Sequence, residues 1–68
     1  MPERLANRLK DRRSELGLTQ AELAERVGVT RKTVNTVENG VFTPSATLAI
    51  KLARALELSV EQLFWIEP

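Results

Sequence analysis

The chain has 68 residues, 43% apolar and 28% charged, with a net charge of +1 and neither Cys nor His. That length allows one small domain over residues 1–68, with a core so small that we expect a partner subunit to support it. Without Cys or His the usual zinc ligands, general bases and thiol nucleophiles are missing, so we predict no metal site, no cofactor and no enzyme activity.

The first two helices are marked by their end signals. Asn7 is a candidate N-cap for a first helix that ends at Gly17, and residues 1–6 either extend this helix or lie extended. The second helix begins at Thr19, because Thr19 and Glu22 have the spacing of a capping box. Its inward residues are Leu23, Ala24 and Val27.

Residues 19–39 have the pattern of a helix-turn-helix unit. Two short helices are joined by a turn at Gly28 and Val29, and Thr30 caps the second of them. Gly28 permits a left-handed turn, and the small side chain of Ala24 lets the two helices approach closely.

Two more helices complete the predicted fold. Ser45 caps a fourth helix, which runs through Leu48, Ile50, Leu52, Ala53 and Leu56. Ser59 caps a short last helix over 60–64, and residues 65–67 are candidates for a short C-terminal strand. Since no period-two alternation is long enough for a core strand, we predict an all-α domain of five short helices.

The third helix carries the candidate functional surface. Val34 and Val37 face the core. The outward face has no carboxylate and holds Arg31, Lys32, Asn35, Thr36 and Asn39. Basic residues in the first turn oppose the helix dipole, so helix stability alone does not explain them. In a DNA major groove, Arg and Lys read guanine, Asn reads adenine, and the Thr methyl meets the thymine methyl.

Four stretches match a wider pattern: LGLTQAELA at 16–24, GVTRKTV at 28–34, ENG at 38–40, and Pro44-Ser45. Together they closely resemble the Cro/cI-type, or xenobiotic-response-element, helix-turn-helix family, over about residues 7–64. Among short stand-alone members the chain looks most like the cytolysin-operon repressor type. The resemblance implies a lambda-repressor-like domain whose partner is double-stranded DNA.

The resemblance also implies roles for individual residues. Base readers fall on Arg31, Lys32, Thr33, Asn35 and Thr36. Phosphate contacts fall on Thr19, Gln20, Asn39 and Thr43. Arg12 lies beside the same surface and is either a further phosphate contact or solvated. Arg13 and Glu38 correspond to a structural ion pair that would be largely buried. Several relatives carry Gln at the first two reader positions, so we expect a different operator.

The C-terminal tail is the other unusual feature. It holds Leu63, Phe64, Trp65 and Ile66, a run that would expose a large apolar patch on a monomer. We predict that this run and the tail over 65–68 form a dimer interface, with completion of the monomer core as the alternative. Phe42, in the loop before the fourth helix, is interpreted as a packing anchor, with a DNA contact as the alternative.

These features predict a prokaryotic or phage transcriptional regulator, a repressor that binds a palindromic operator through the major groove as a homodimer. The alternative is a protein-interaction or antitoxin-like module of the same fold, although the polar third helix does not favour it. Glu22 and Glu25 are either solvated or an acidic patch for RNA polymerase. No apolar run suits a signal peptide or a membrane span, so we expect a cytoplasmic protein with no membrane partner.

Overall fold

The computed structural model describes residues 2–68, in which five helices lie between two short strands. The elements are β1 (Arg4–Asn7), α1 (Leu9–Glu15), α2 (Gln20–Val27), α3 (Arg31–Glu38), α4 (Ala46–Ala55), α5 (Val60–Leu63) and β2 (Phe64–Glu67). The five predicted helices are confirmed. None of the helices within residues 2–68 is long and apolar enough to cross a membrane.

Hydroxyl side chains begin four of the helices. The N-cap residues of α2 to α5 are Thr19, Thr30, Ser45 and Ser59, and each accepts a hydrogen bond from a backbone N–H in the first turn. The first helix differs from the prediction. Asn7 Oδ1 does accept from the Leu9 N–H at 3.0 Å, but Arg8 occupies the N-cap position because Asn7 belongs to β1.

The two ends of the chain meet in an antiparallel pair of strands. The register places Arg4 opposite Glu67 and Asn7 opposite Phe64. Residues 4–7 are therefore extended, which the sequence left open, while Met1 lies outside the described residues. The last helix ends at Leu63, one residue earlier than predicted, because Phe64 already has extended backbone angles and begins β2.

The core gathers apolar residues from every helix. Its fully buried leucines are Leu9, Leu23, Leu52, Leu56 and Leu63. Ile50, the fifth residue of α4, is 45% exposed. At 3.6 residues per turn, Ile50 lies about 200° around the helix from Leu48 and misses the inward stripe.

Leu63 and Phe64 are corrections to the predicted dimer interface. Leu63 is 0% and Phe64 6% exposed within the isolated chain, and both belong to its core. The alternative of core completion therefore holds for these two residues. Buried side chains of this kind cannot present a surface to a second subunit.

Candidate nucleic-acid interface

The outward face of α3 is exposed and cationic. Arg31, Lys32 and Asn35 are exposed, while Val34 and Val37 are 1% and 2% exposed on the opposite side of the helix. Within residues 2–68 neither Arg31 nor Lys32 has a carboxylate partner. Two unpaired cations beside the positive end of a helix dipole are unfavourable for the helix itself, so this face is suited to an external anion.

The turn between α2 and α3 sets the angle at which this face is presented. Gly28 has φ +78°, in the left-handed region, and ends α2. The carbonyl of Ala24 accepts from the N–H of Gly28 at 2.9 Å and from that of Val29 at 3.0 Å. Thr30 is then the N-cap of α3, because its hydroxyl accepts from the Thr33 N–H at 3.2 Å.

A buried ion pair holds α3 from behind. Arg13 Nε lies 2.7 Å from Glu38 Oε2, and the two side chains are only 13% and 3% exposed. Arg13 Nη1 also donates to the Leu18 carbonyl at 2.8 Å. The two residues predicted to pair thus connect α1 with the last turn of α3.

Gln20 joins the same network. Its Nε2 donates to Glu38 Oε1 at 3.0 Å, which fixes the side-chain amide at the start of α2 against the end of α3. A glutamine amide has two N–H groups, so one remains for a further acceptor. The phosphate contact of Gln20 stays a prediction, and the bond to Glu38 gives this residue a structural role that the sequence pattern did not indicate.

The start of α2 is closed by the predicted capping box, which is confirmed. The Thr19 hydroxyl accepts from the Glu22 N–H, and Glu22 Oε1 accepts from the Thr19 N–H, both at 3.0 Å. The Thr19 backbone N–H, followed by its hydroxyl, lowers the pKa of Glu22 from its usual value. Glu22 and Glu25 are both exposed on α2, and capping explains the first of them without a protein partner.

The remaining predicted phosphate contacts lie just beyond α3. Asn39 Nδ2 donates to the Asn35 carbonyl at 2.9 Å and so caps the helix, while Thr43 is exposed in the loop that follows. The N–H groups of Val41 and Phe42 both donate to the Thr36 carbonyl, at 2.9 and 3.1 Å. These bonds fold the loop back along the helix.

Arg12 lies apart from this surface. Its Nε donates to the Leu56 carbonyl at 2.8 Å, at the C-terminal end of α4, and its side chain borders a depression shared with Leu58 and Trp65. A guanidinium that binds a helix-end carbonyl already has a structural acceptor. Arg12 thus caps α4, and the phosphate contact given as one of its two possible roles stays a prediction.

The rest of the tail is exposed. Trp65 is 37% and Ile66 58% exposed, on opposite faces of the sheet because successive strand residues alternate. The Arg8 guanidinium stacks over the Trp65 ring at 5.3 Å from its centroid. Leu5 lies opposite Ile66 in the register and is half-buried, so Leu5 and Ile66 form one apolar patch.

One exposed feature was not indicated by the sequence pattern. Phe42, interpreted above as a packing anchor, is 48% exposed, and its neighbour Val41 is 78% exposed. Together with Lys32, Thr33 and Thr36 they line a shallow depression beside the reader face. Helical periodicity does not extend into a loop, so no pattern could show which way these side chains point.

This geometry is that of a DNA-binding helix-turn-helix protein, and comparison with known proteins agrees. A family model described as Helix-turn-helix matches residues 9–63. The chain therefore belongs to the Cro/cI-type helix-turn-helix family of DNA-binding regulators.

Individual relatives and solved structures are similar to most of this chain. An uncharacterized HTH-type transcriptional regulator of Bacillus subtilis, YgzD, is 41% identical over 63 residues, covering 93% of this chain and 96% of the relative. The antitoxin HipB of Escherichia coli is 39% identical over 59 residues, covering 87% of this chain and 63% of HipB. Among solved structures, SinR, the master regulator for biofilm formation, in complex with DNA has a TM-score of 0.74 at 33% identity, covering 79% of this chain and 87% of that chain.

Proposed function

We propose that this protein is a transcriptional repressor that binds a palindromic operator as a homodimer, with α3 in the major groove. The observation that carries the proposal is the face of Arg31, Lys32 and Asn35, which is exposed and lacks any carboxylate. Arg and Lys pair with guanine and Asn with adenine in that groove.

The proposed base contacts and phosphate contacts lie near opposite ends of α3. The cationic base readers occupy its first turn, whereas Gln20, Asn39 and Thr43 gather near its other end, where Gln20 binds Glu38. An eight-residue helix is about 12 Å long, so the N-terminal end can enter the groove while the flanking residues reach the phosphates. This matches the general docking of a recognition helix, whose first residues contact base edges.

The patch of Leu5 and Ile66 supports dimerisation. Ile66 is 58% exposed on a two-stranded sheet whose outer edges are unpaired within residues 2–68. Such edges and patches are unfavourable in water and favour association with another chain. A two-fold dimer places two recognition helices about 34 Å apart, one helical turn of DNA, which implies a palindromic site.

Repression follows in this proposal from occupancy of a promoter, which needs nothing beyond tight and specific binding. Activation through the exposed Glu22 and Glu25 is the variant to separate from it. Replacing both residues with Gln leaves repression of a reporter gene unchanged if occlusion is the mechanism. Lower transcription of the reporter gene with the double variant would instead indicate that these two residues contact RNA polymerase.

A second candidate is an antitoxin-like role, which the similarity to HipB favours. In that case the protein would bind a second, different protein, and DNA binding would be weak or absent. The polar face of α3 distinguishes the two candidates, because a protein-binding surface usually has apolar residues at its centre.

Selection of binding sites from a random duplex pool tests the proposal directly. We expect a palindromic consensus with half-sites about one helical turn apart, and an affinity that falls with salt as phosphate contacts are screened. Arg31→Ala should weaken the enrichment and relax base preference at one position, while Lys51→Ala, which removes an exposed cation from α4, should preserve both. A pool that shows no enrichment, with only salt-sensitive binding, contradicts the proposal and favours the antitoxin-like role.

A further inference from the structure

Two adjacent apolar side chains are exposed to solvent beside the base-reading face. Val41 and Phe42 are 78% and 48% exposed in the loop between α3 and α4. Single exposed apolar residues are common, but a neighbouring pair at the rim of a binding surface is a candidate contact. Neither residue completes the core, so packing does not explain the choice of two large apolar side chains here.

The loop is held in place by the end of α3. The Thr36 carbonyl accepts from the N–H groups of both Val41 and Phe42, at 2.9 and 3.1 Å. The backbone of the two residues is therefore held against the end of α3, and their side chains border one shallow depression with Lys32, Thr33 and Thr36.

The helix side of this depression is apolar as well. The Thr36 hydroxyl donates to the Thr33 carbonyl at 2.9 Å, and the Thr33 and Thr30 hydroxyls are 3.0 Å apart. Both hydroxyls bordering the depression are thus hydrogen-bonded within α3. The methyl groups of Thr33 and Thr36 are therefore the main groups free to contact a ligand.

The surroundings determine which ligand fits. Lys32 at the rim and Arg31 in the same turn have no acidic partner within residues 2–68, so the occupant is anionic overall yet presents a small apolar group. In duplex DNA the thymine C5-methyl is the apolar group exposed in the major groove, and aliphatic and aromatic side chains contact it. A protein partner would need an apolar surface that continues beyond the depression, whereas the exposed residues of α3 are Arg31, Lys32 and Asn35.

We propose that Val41 and Phe42 contact a thymine methyl in each half of the operator, so that the loop after α3 contributes to base preference. This inference rests on the proposed DNA-binding function. It adds a sequence-determining contact from outside the recognition helix, made by van der Waals contact and not by hydrogen bonds.

Replacing thymine with deoxyuridine in the selected operator tests the inference, because only the methyl group is removed. We expect about fourfold weaker binding at one thymine per half-site, the effect of losing one buried methyl. With Phe42→Ala or Val41→Ser the two duplexes should bind equally at that position. Ile50→Ala, which truncates an exposed apolar residue on α4, should retain the fourfold ratio. Thermal unfolding verifies that each variant is folded.

The outcomes separate this inference from the proposed function. If the pool gives no consensus, the DNA-binding function itself fails. If a palindromic consensus is found but no thymine responds to deoxyuridine, the loop contact is wrong and the function stands. If the methyl effect persists in both loop variants, Thr33 or Thr36 makes the contact, which also overturns the inference.

Discussion

Glu38 Oε2 lies 2.7 Å from Arg13 Nε, in a pair whose carboxylate side is only 3% exposed. The other oxygen of Glu38 accepts from Gln20 Nε2 at 3.0 Å. One carboxylate therefore connects the first helix, the start of the second and the end of the recognition helix. Stability and the candidate DNA interface depend on the same network.

Removing one partner of this pair should destabilise the protein strongly. Arg13→Met leaves the buried Glu38 carboxylate without its cation, and we expect a loss of about 3–5 kcal/mol in the free energy of unfolding. Urea unfolding measures it. Replacing both residues with Met should recover part of the loss.

The matched control for that loss is Arg4→Met. Arg4 pairs with Glu67 at 2.9 Å, but its side chain is 77% exposed. Exposed pairs contribute little, because water already solvates both charges. Equal losses from Arg4→Met and Arg13→Met would contradict the structural role assigned to the buried pair.

The two classes of DNA contact should respond differently to mutation. Arg31→Ala is expected to weaken operator binding by about 1–3 kcal/mol and to relax preference at one base position, while Gln20→Ala weakens binding about equally across sequences. Titrations against the consensus duplex and single-base variants measure both effects. The groove assignment is wrong if Arg31→Ala leaves base preference intact.

The dimer should depend on Ile66. Ile66→Glu places a charge on the apolar patch with Leu5, and we expect sedimentation equilibrium to show a monomer at concentrations where the wild type is a dimer. Ile50→Glu, at another exposed isoleucine, should leave the dimer intact. A wild type that sediments as a monomer at every concentration would contradict the dimer.

Stability should fall in acid partly through the capping box. The Thr19 N–H and hydroxyl lower the pKa of Glu22 below its usual 4.5. A lowered pKa in the folded state means that the contribution of Glu22 is complete above about pH 4.5 and is lost as the pH falls through the folded-state value.

The matched variant for this effect is Glu22→Gln. A glutamine preserves the hydrogen-bond pattern of the box but does not titrate, so its unfolding free energy should fall less steeply below about pH 4.5. Unfolding curves at several pH values provide the measurement. Glu25→Gln removes an exposed carboxylate from the same helix and should retain the wild-type slope; identical slopes for all three proteins would contradict the role of the cap.

The helices were predictable because their signals are local. A capping hydroxyl such as that of Thr19 or Ser45 binds an N–H three residues away, and Gly28 ends its helix by its own backbone conformation. Contacts of this range depend on neighbouring residues alone. The polar outward face of α3 was predictable for the same reason, since helical periodicity separates it from Val34 and Val37.

The partner of Arg12 was not predictable, whereas that of Arg13 was indicated only by the family resemblance. Arg12 and Arg13 are adjacent in sequence, yet one binds the Leu56 carbonyl and the other Glu38. Nothing in their immediate neighbours distinguishes them. Arg12 binds the Leu56 carbonyl because α4 ends beside it, which depends on how two helices pack.

By itself the sequence determined five helices, the caps of the last four and the cationic face of the third helix, because each follows from interactions within one or two turns. Only the tertiary structure decided how the C-terminal tail pairs and which of its side chains are buried. Arg4 pairs with Glu67 across nearly the whole chain, and a strand of four residues has too little alternation to predict that pairing. Phe64 and Ile66 lie on the same face of β2. Phe64 is buried and Ile66 is exposed, because the core lies beneath Phe64 and does not extend beneath Ile66.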